Sequence, residues 1–281
     1  MSFDPYALDH TAVADALLGA VLEAGRIELH HYATGVAVET KADQSPVTIA
    51  DREAEAVLVA AIARLAPAVP VIAEEASAEG RIPVAGDVFF LVDPLDGTRE
   101  FISGNGEFTV NIALIVSGVP VFGIVYAPAL GDLYLTAGRH RSMAASVDPA
   151  AGFTRLAECG LADIRTRAPD PAGLTAVASR SHMSAEGEVW LARWPIAARR
   201  NAGSSLKFCL IAKGEADVYP RHGPTMEWDT AAGDAVLRAA GGVVTTFDGA
   251  PLLYGKRAQG YRNPHFVGWG TRTALPDPAA G

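Results

Sequence analysis

The apolar run Val88-Phe89-Phe90-Leu91-Val92 reads as a buried strand that ends directly on Asp93-Pro94. The following residues complete the hexapeptide Asp93-Pro94-Leu95-Asp96-Gly97-Thr98. The strand thus delivers two carboxylates at i and i+3. Proline fixes the backbone between them, and glycine permits a tight turn. Such a turn aims both carboxylates, and the Leu95 carbonyl, at one point. Hard cations such as Mg²⁺ take oxygen ligands of this kind. A plain Asp-Pro turn with a capping Asp and Thr is the alternative. The full hexapeptide favours a metal site over that turn.

Around this strand the pattern alternates between helix and strand. Val13, Leu17, Leu18, Val21 and Leu22 form a helical stripe within 9–30. A short strand is expected over 35–40. Pro46-Val47-Thr48 leads into a second helix through Leu65, with Ala54, Leu58, Ala61, Ile62 and Leu65 on one face. A short strand over 69–73 precedes Glu74-Glu75. The stretch between Glu107 and Asp132 carries no charge and is long enough to raise the question of a membrane span. Asn111, Ser117, Gly118, Pro120, Gly123 and Pro128 interrupt it, and it is rich in β-branched residues. It reads instead as two buried strands around Ser117-Gly118-Val119-Pro120. Leu133-Tyr134-Leu135 extends the same sheet.

Beyond residue 140 the composition changes, and Ala, Gly and Pro dominate 144–173, a connection with a short helix. Strands are expected over 175–179, 217–219 and 243–247. Helices are expected over 184–193, 204–213 and 229–240, the last closed by Gly241-Gly242. The expected fold class is α/β (α+β layered). It divides into an N-terminal lobe over 1–140 and a C-terminal lobe over 141–281, joined in one compact unit.

The 281 residues are 49% hydrophobic and 20% charged, which excludes a disordered chain. The formal net charge is −9 and no long basic run exists. That argues against a nucleic-acid coat or a polybasic membrane anchor. An acidic protein still binds phosphates when metal ions supply the positive charge. Cys159 and Cys209 form no CxxC pair, and Met1-Ser2-Phe3-Asp4-Pro5 opens no secretory signal. A reduced, cytoplasmic protein without an integral membrane segment is the simplest reading, with loose peripheral membrane association left open.

The hexapeptide resembles the metal motif of the inositol monophosphatase superfamily. The family's second motif stands as Trp228-Asp229-Thr230-Ala231-Ala232-Gly233. Its upstream acidic element stands as Glu74-Glu75, and Val47-Thr48-Ile49-Ala50-Asp51 matches the element before that. All four appear in the expected order between residues 47 and 242. Downstream, Arg99-Glu100-Phe101, Gly106-Glu107-Phe108-Thr109-Val110-Asn111-Ile112-Ala113-Leu114 and Ser179-Arg180-Ser181-His182 are similar to the 3'(2'),5'-bisphosphate nucleotidases of the CysQ type. So are Gly203-Ser204-Ser205-Leu206-Lys207-Phe208, Tyr219-Pro220-Arg221 and Gly223-Pro224-Thr225. Inositol monophosphatases usually carry Asn where Glu100 stands, and many members have Lys at the place of Arg99. The resemblance implies the αβαβα sandwich of the inositol monophosphatase and fructose-1,6-bisphosphatase type. It also implies Mg²⁺-dependent, lithium-sensitive hydrolysis of a phosphate ester.

The same resemblance implies residue roles. Glu74, Asp93 and the Leu95 carbonyl hold one Mg²⁺, and Asp93, Asp96 and Asp229 hold a second. A third, weaker ion leans on Glu74 through water. Two cations close together neutralise both the ester and the attacking hydroxide. Asp51 and Thr98 form the water-activating pair, although Thr48-Ile49-Ala50-Asp51 also reads as a capping box. Gly97 and Thr98 offer backbone N–H groups to the phosphate. Glu74, Leu95, Asp96 and Asp229 also face the substrate. Ser179, Ser181 and His182 are candidates for a nucleoside pocket. Ser204 and Ser205, expected at a helix N-terminus, with Lys207 and Arg221, are candidates for a second phosphate.

The expected substrate is therefore a small molecule, 3'-phosphoadenosine 5'-phosphate (PAP) or its sulfated relative (PAPS), in sulfur-assimilation housekeeping. Nucleic acid is not an expected partner. The superfamily includes both monomers and homodimers. Two other readings stay open. One is a broader inositol- or sugar-phosphate phosphatase, against which Glu100 and the 203–208 segment argue. The other is a non-catalytic regulator that binds a protein or RNA, against which retention of every proposed ligand argues.

Overall fold

Asp9 starts the first helix by accepting a hydrogen bond from Ala12 N at 3.0 Å. This helix, α1 (His10–Thr34), buries Val13, Leu17, Leu18, Val21 and Leu22 along one side. The computed structural model describes residues 3–35, 39–40, 46–179 and 184–271. A short antiparallel pair follows α1, formed by β1 (Glu39–Thr40) and β2 (Pro46–Val47). Thr48 and Asp51 then close a capping box that opens α2 (Ile49–Leu65). Next come β3 (Val71–Ala73), α3 (Glu74–Ala78), β4 (Val88–Asp96), α4 (Thr98–Ile102), β5 (Thr109–Val116) and β6 (Val119–Ala127). They are followed by β7 (Asp132–Gly138), β8 (Arg141–Ser146), β9 (Ala162–Ile164), β10 (Leu174–Ser179), α5 (Ala185–Leu191) and β11 (Ile196–Ala202). The last described elements are α6 (Leu206–Ala212), β12 (Val218–Arg221), α7 (Trp228–Ala239), β13 (Val243–Thr246) and β14 (Phe266–Trp269).

β3 to β9 lie side by side in sequence order as a seven-stranded sheet, and only the β3–β4 pair is parallel. The second sheet has five strands in the order β11-β10-β12-β14-β13. Helices α1 and α2 pair with each other and cover one face of the seven-stranded sheet; α7 covers the other face and packs on α6. α6 meets the five-stranded sheet, and α5 lies on that sheet's outer side with Leu191 against Leu174, Val218 and Trp269. The result is an αβαβα stack, as the resemblance implies; the alternating pattern alone implies only a layered α/β class. The charge-free stretch forms β5 and β6, buried on both faces. Ser117 and Gly118 both take positive φ, 50° and 77°, as a two-residue hairpin turn requires. Among the described residues, no helix is long and apolar enough to cross a membrane.

Several local expectations differ from the structure, among them the connection expected over 144–173, which contains the end of β8 and all of β9. The strand expected to stop at Val92 continues to Asp96, because β5 supplies pairing partners for Asp93 and Asp96. The helix expected from residue 204 starts at Leu206, since Ser204 sits at φ 49°, outside the helical region. The lobe boundary expected at 140 falls in the turn between β7 and β8, within the seven-stranded sheet, and the five-stranded sheet begins only at Leu174.

Helix α7 sits in the central layer, and small residues let it approach both neighbours. A Cβ on Gly123 in β6 would lie 2.5 Å from Ala232 O, and one on Gly233 would lie 2.6 Å from the Phe208 ring. Gly123→Ala therefore has to push α7 off the sheet. The expected cost is about 1–3 kcal/mol of overpacking, read by chemical denaturation against wild type. On α1, both carboxyl oxygens of Glu28 are buried without a hydrogen-bond partner. Burial first, then the neighbouring Asp51, pushes its pKa well above the usual carboxylate range. Below about pH 4.5 the folded and unfolded chains both carry the proton. Above it only the unfolded chain ionises, and stability falls by ~1.4 kcal/mol per pH unit until the folded pKa is reached. Glu28→Met removes that slope. Its stability relative to wild type is expected to be higher at pH 8 than at pH 5, and an equal difference at both would contradict the burial argument.

Candidate active site

Regular strand geometry would point Asp93 and Asp96 to opposite faces, since side chains alternate. The register shows how this is avoided. Asp93 pairs with Asn111 and Asp96 with Thr109, so three steps on β4 face two on β5. The extra residue is a β-bulge, which re-aims side chains at a sheet edge. Pro94, without an N–H, loses nothing there. The Leu95 side chain is buried with Ala50, Phe101 and Phe108, and its N–H donates to Asp93 Oδ1 at 3.1 Å. Gly97 follows at φ 93° and turns the chain into α4 at Thr98.

The carboxylates come from three places. Asp93 and Asp96 come from the bulge, Glu74 from the start of α3 and Asp229 from the first turn of α7. Ligand oxygens of Glu74, Asp93 and Asp229 all lie within 4.8 Å of one another. Asp96 lines the same cavity, and its Oδ2 is buried with no hydrogen-bond partner. Burial, then the neighbouring Glu74, Asp96 and Asp229, pushes the Asp93 carboxyl well above the usual range. Burial, Asp96 and Glu74 do the same to Asp229, while the Met226 N–H, at 2.8 Å from Asp229 Oδ2, acts the other way. Burial raises Asp96 to about 6 against the opposing pull of Lys207. Carboxylates crowded this way want a cation, and the orphaned Asp96 oxygen is a donor without another claim on it. The all-oxygen set fits a hard divalent ion.

Glu74 is aimed by a residue that the sequence pattern did not single out. Helix α3 has no side-chain cap of its own. Glu55 of α2 supplies one, accepting from Glu75 N at 2.7 Å and Ala76 N at 2.9 Å. The only available sequence signal was an acidic residue on the buried side of a helix.

The remaining expected residues divide. Leu95, Gly97, Thr98, Ser204, Lys207 and Arg221 line a cavity of about 710 Å³ together with the carboxylates. Asp51 is buried behind it, where its Oδ2 accepts from Thr48 N at 2.8 Å and Thr48 Oγ1 at 2.7 Å. Ser205, expected at a phosphate, is instead in the wall. Its hydroxyl is buried, donates to Asn111 Oδ1 at 2.7 Å and pairs with Thr109 Oγ1 at 2.9 Å. Ser204 also bonds Thr109 Oγ1. Lys207 is only 6% exposed, and burial pulls its pKa down to about 8 despite the nearby Asp96. It is a charge set beside Asp96 rather than a free arm. Ser179 ends β10, while Ser181 and His182 lie outside the described residues. Arg262, not picked out from sequence, also lines the cavity. Cys159 and Cys209 are buried and unpaired.

Residues 9–268 match the inositol monophosphatase family. The chain is 44% identical over 232 residues to the 3'(2'),5'-bisphosphate nucleotidase CysQ of Shigella flexneri, covering 82% of this chain and 87% of that protein. A solved CysQ from Bacteroides thetaiotaomicron, a bacterial member of the inositol monophosphatase family, is 38% identical with a TM-score of 0.78. That match covers 93% of this chain and 98% of the other. An inositol monophosphatase from Zymomonas mobilis shares the fold at 23% identity, with a TM-score of 0.72 and 95% of each chain covered. The layered fold, the carboxylate cluster and these similarities agree: the chain belongs to the inositol monophosphatase family.

Proposed function

We propose that the chain is a Mg²⁺-dependent phosphomonoesterase that removes the 3'-phosphate of 3'-phosphoadenosine 5'-phosphate to give AMP and phosphate. The convergence of Glu74, Asp93 and Asp229 within 4.8 Å carries the metal-dependent part. The 44% identity to a CysQ nucleotidase supports the substrate. Glu74, Asp93 and the Leu95 carbonyl would hold one cation, and Asp93, Asp96 and Asp229 a second. Bound divalent ions supply the positive charge that an anionic ester and an anionic nucleophile both need.

The protein's own groups do the rest. Asp51 accepts a hydrogen bond from the Thr98 hydroxyl, which leaves that oxygen's lone pairs to accept from the attacking water and orient it. The Gly97 and Thr98 N–H groups hold the reacting phosphate where glycine allows close approach. Lys207 keeps Asp96 charged at neutral pH. The sulfated analogue of the same nucleotide carries the same 3'-phosphate and is a second candidate substrate. Lithium sensitivity and a cytoplasmic place in sulfur metabolism accompany this reading.

Three outcomes are expected. Phosphate release with Mg²⁺ should be much faster from 3'-phosphoadenosine 5'-phosphate than from inositol 1-phosphate, and lithium should lower it; equal rates would discard the nucleotide specificity. Asp96→Asn should lower kcat/KM by at least about 100-fold while leaving the melting temperature unchanged or higher, because one of the repelling carboxylates is gone. Activity within a factor of a few of wild type would contradict the ligand assignment. Protons compete with the cation for these carboxylates, whose pKa values are raised, to about 6 for Asp96. The rise in melting temperature on adding Mg²⁺ should therefore be larger at pH 7.5 than at pH 5.5, as differential scanning fluorimetry can measure.

A further inference from the structure

Arg262 stands in the cavity wall on a segment that is fastened unusually well. Tyr261 before it is buried at 2% exposure and holds a left-handed φ of 60°. A tyrosine adopts that conformation only when its surroundings over-determine it. Asn263 after it is also buried, and its Nδ2 donates to Met226 O at 2.8 Å and to Thr230 Oγ1 at 3.0 Å. The backbone on either side is laddered to the strip before α7. Glu227 N donates to Tyr261 O at 2.9 Å, and Asn263 N donates to Thr225 O at 2.9 Å. Arg262 thereby faces Met226 in an antiparallel bridge. The N–H of Met226 is the one that holds Asp229 Oδ2. The backbone that presents Arg262 is thus locked to the backbone that positions a carboxylate of the cluster.

The Arg262 side chain itself is exposed and lines the cavity. Among the described residues it has no ion-pair partner, although the same cavity contains several carboxylates. The other cations there are placed differently. Lys207 is buried against Asp96. Arg221, at the end of β12, gives one N–H to Pro224 O at 3.3 Å and keeps Nε buried without a partner. Two guanidinium groups therefore flank the 223–226 turn, neither engaged by a carboxylate. A guanidinium matches a phosphate with two parallel hydrogen bonds, and a fixed backbone lowers the ordering cost of using it.

We propose that Arg262 is a specificity-determining residue that binds the second, uncleaved phosphate of a bisphosphate substrate. The proposal rests on the phosphatase reading above. It assigns to Arg262 the discrimination between substrates with two phosphates and those with one.

The test compares wild type, Arg262→Ala and Arg262→Lys on 3'-phosphoadenosine 5'-phosphate and on 3'-AMP, which lacks the 5'-phosphate. Arg64→Ala removes the same charge from an exposed position outside the cavity and serves as the control. Arg262→Ala should lower kcat/KM for the bisphosphate at least tenfold more than for 3'-AMP, mainly through KM. Arg262→Lys should recover part of the difference, and Arg64→Ala should leave the ratio unchanged. Equal losses on both nucleotides, or none on the bisphosphate, overturn the proposal. Equilibrium binding of the two nucleotides to the same variants is measured in parallel. If wild type hydrolyses neither nucleotide, the phosphatase reading fails. Binding then still decides whether Arg262 reads the 5'-phosphate.

Discussion

Everything in this site depends on holding like charges together out of water. Three carboxylates whose oxygens lie within 4.8 Å repel one another when ionised, by about 3–4 kcal/mol per pair at an effective dielectric constant of about 20. The surrounding structure has to supply that from elsewhere. The bulge at Pro94-Leu95 turns Asp93 and Asp96 the same way, and the buried Leu95 side chain anchors the bulge. Glu55 fixes the helix that carries Glu74. Met226 fixes Asp229. One bulge thus places two of the carboxylates, and Glu55 and Met226 place the other two; the layered core brings these devices together.

The layering explains why the second motif consists mostly of small residues. Ala231, Ala232 and Gly233 are the surface by which α7 lies between the seven-stranded sheet and α6. Asp229 sits in the first turn of this helix, where free N–H groups and the dipole favour an anion. The bulk a motif lacks thus carries as much of the architecture as the carboxylate it displays.

Much of this was legible in the sequence because it is local. The apolar run before Asp93, the helical stripe of 9–30 and the hairpin at Ser117-Gly118 all follow from periodicity and turn chemistry. The hexapeptide, Glu74-Glu75 and Trp228-Asp229 named candidate carboxylates through the family resemblance, and the structure brings Glu74, Asp93 and Asp229 together. What escaped depends on partners distant in sequence. The end of β4 required knowing that β5 pairs with Asp93 and Asp96. Ser205 looked like a phosphate ligand beside a helix start, but Asn111 and Thr109, more than ninety residues earlier, claim its hydroxyl. Glu55 holds backbone groups of another segment, the backbone around Arg262 is held by one, and neither residue carries a motif. The division expected at residue 140 followed a change in composition, whereas the sheet continues to Ile164.

Gly123 touches no ligand and carries no functional group, yet it faces the backbone of α7 at a distance no side chain allows. A side chain there would therefore disturb the site from a distance, by parting the two layers that carry it. A map of mutational tolerance for this protein would mark Gly123, in the middle of β6, alongside the cavity residues. Read without coordinates, such a map would suggest a second site where there is only the contact surface between two layers.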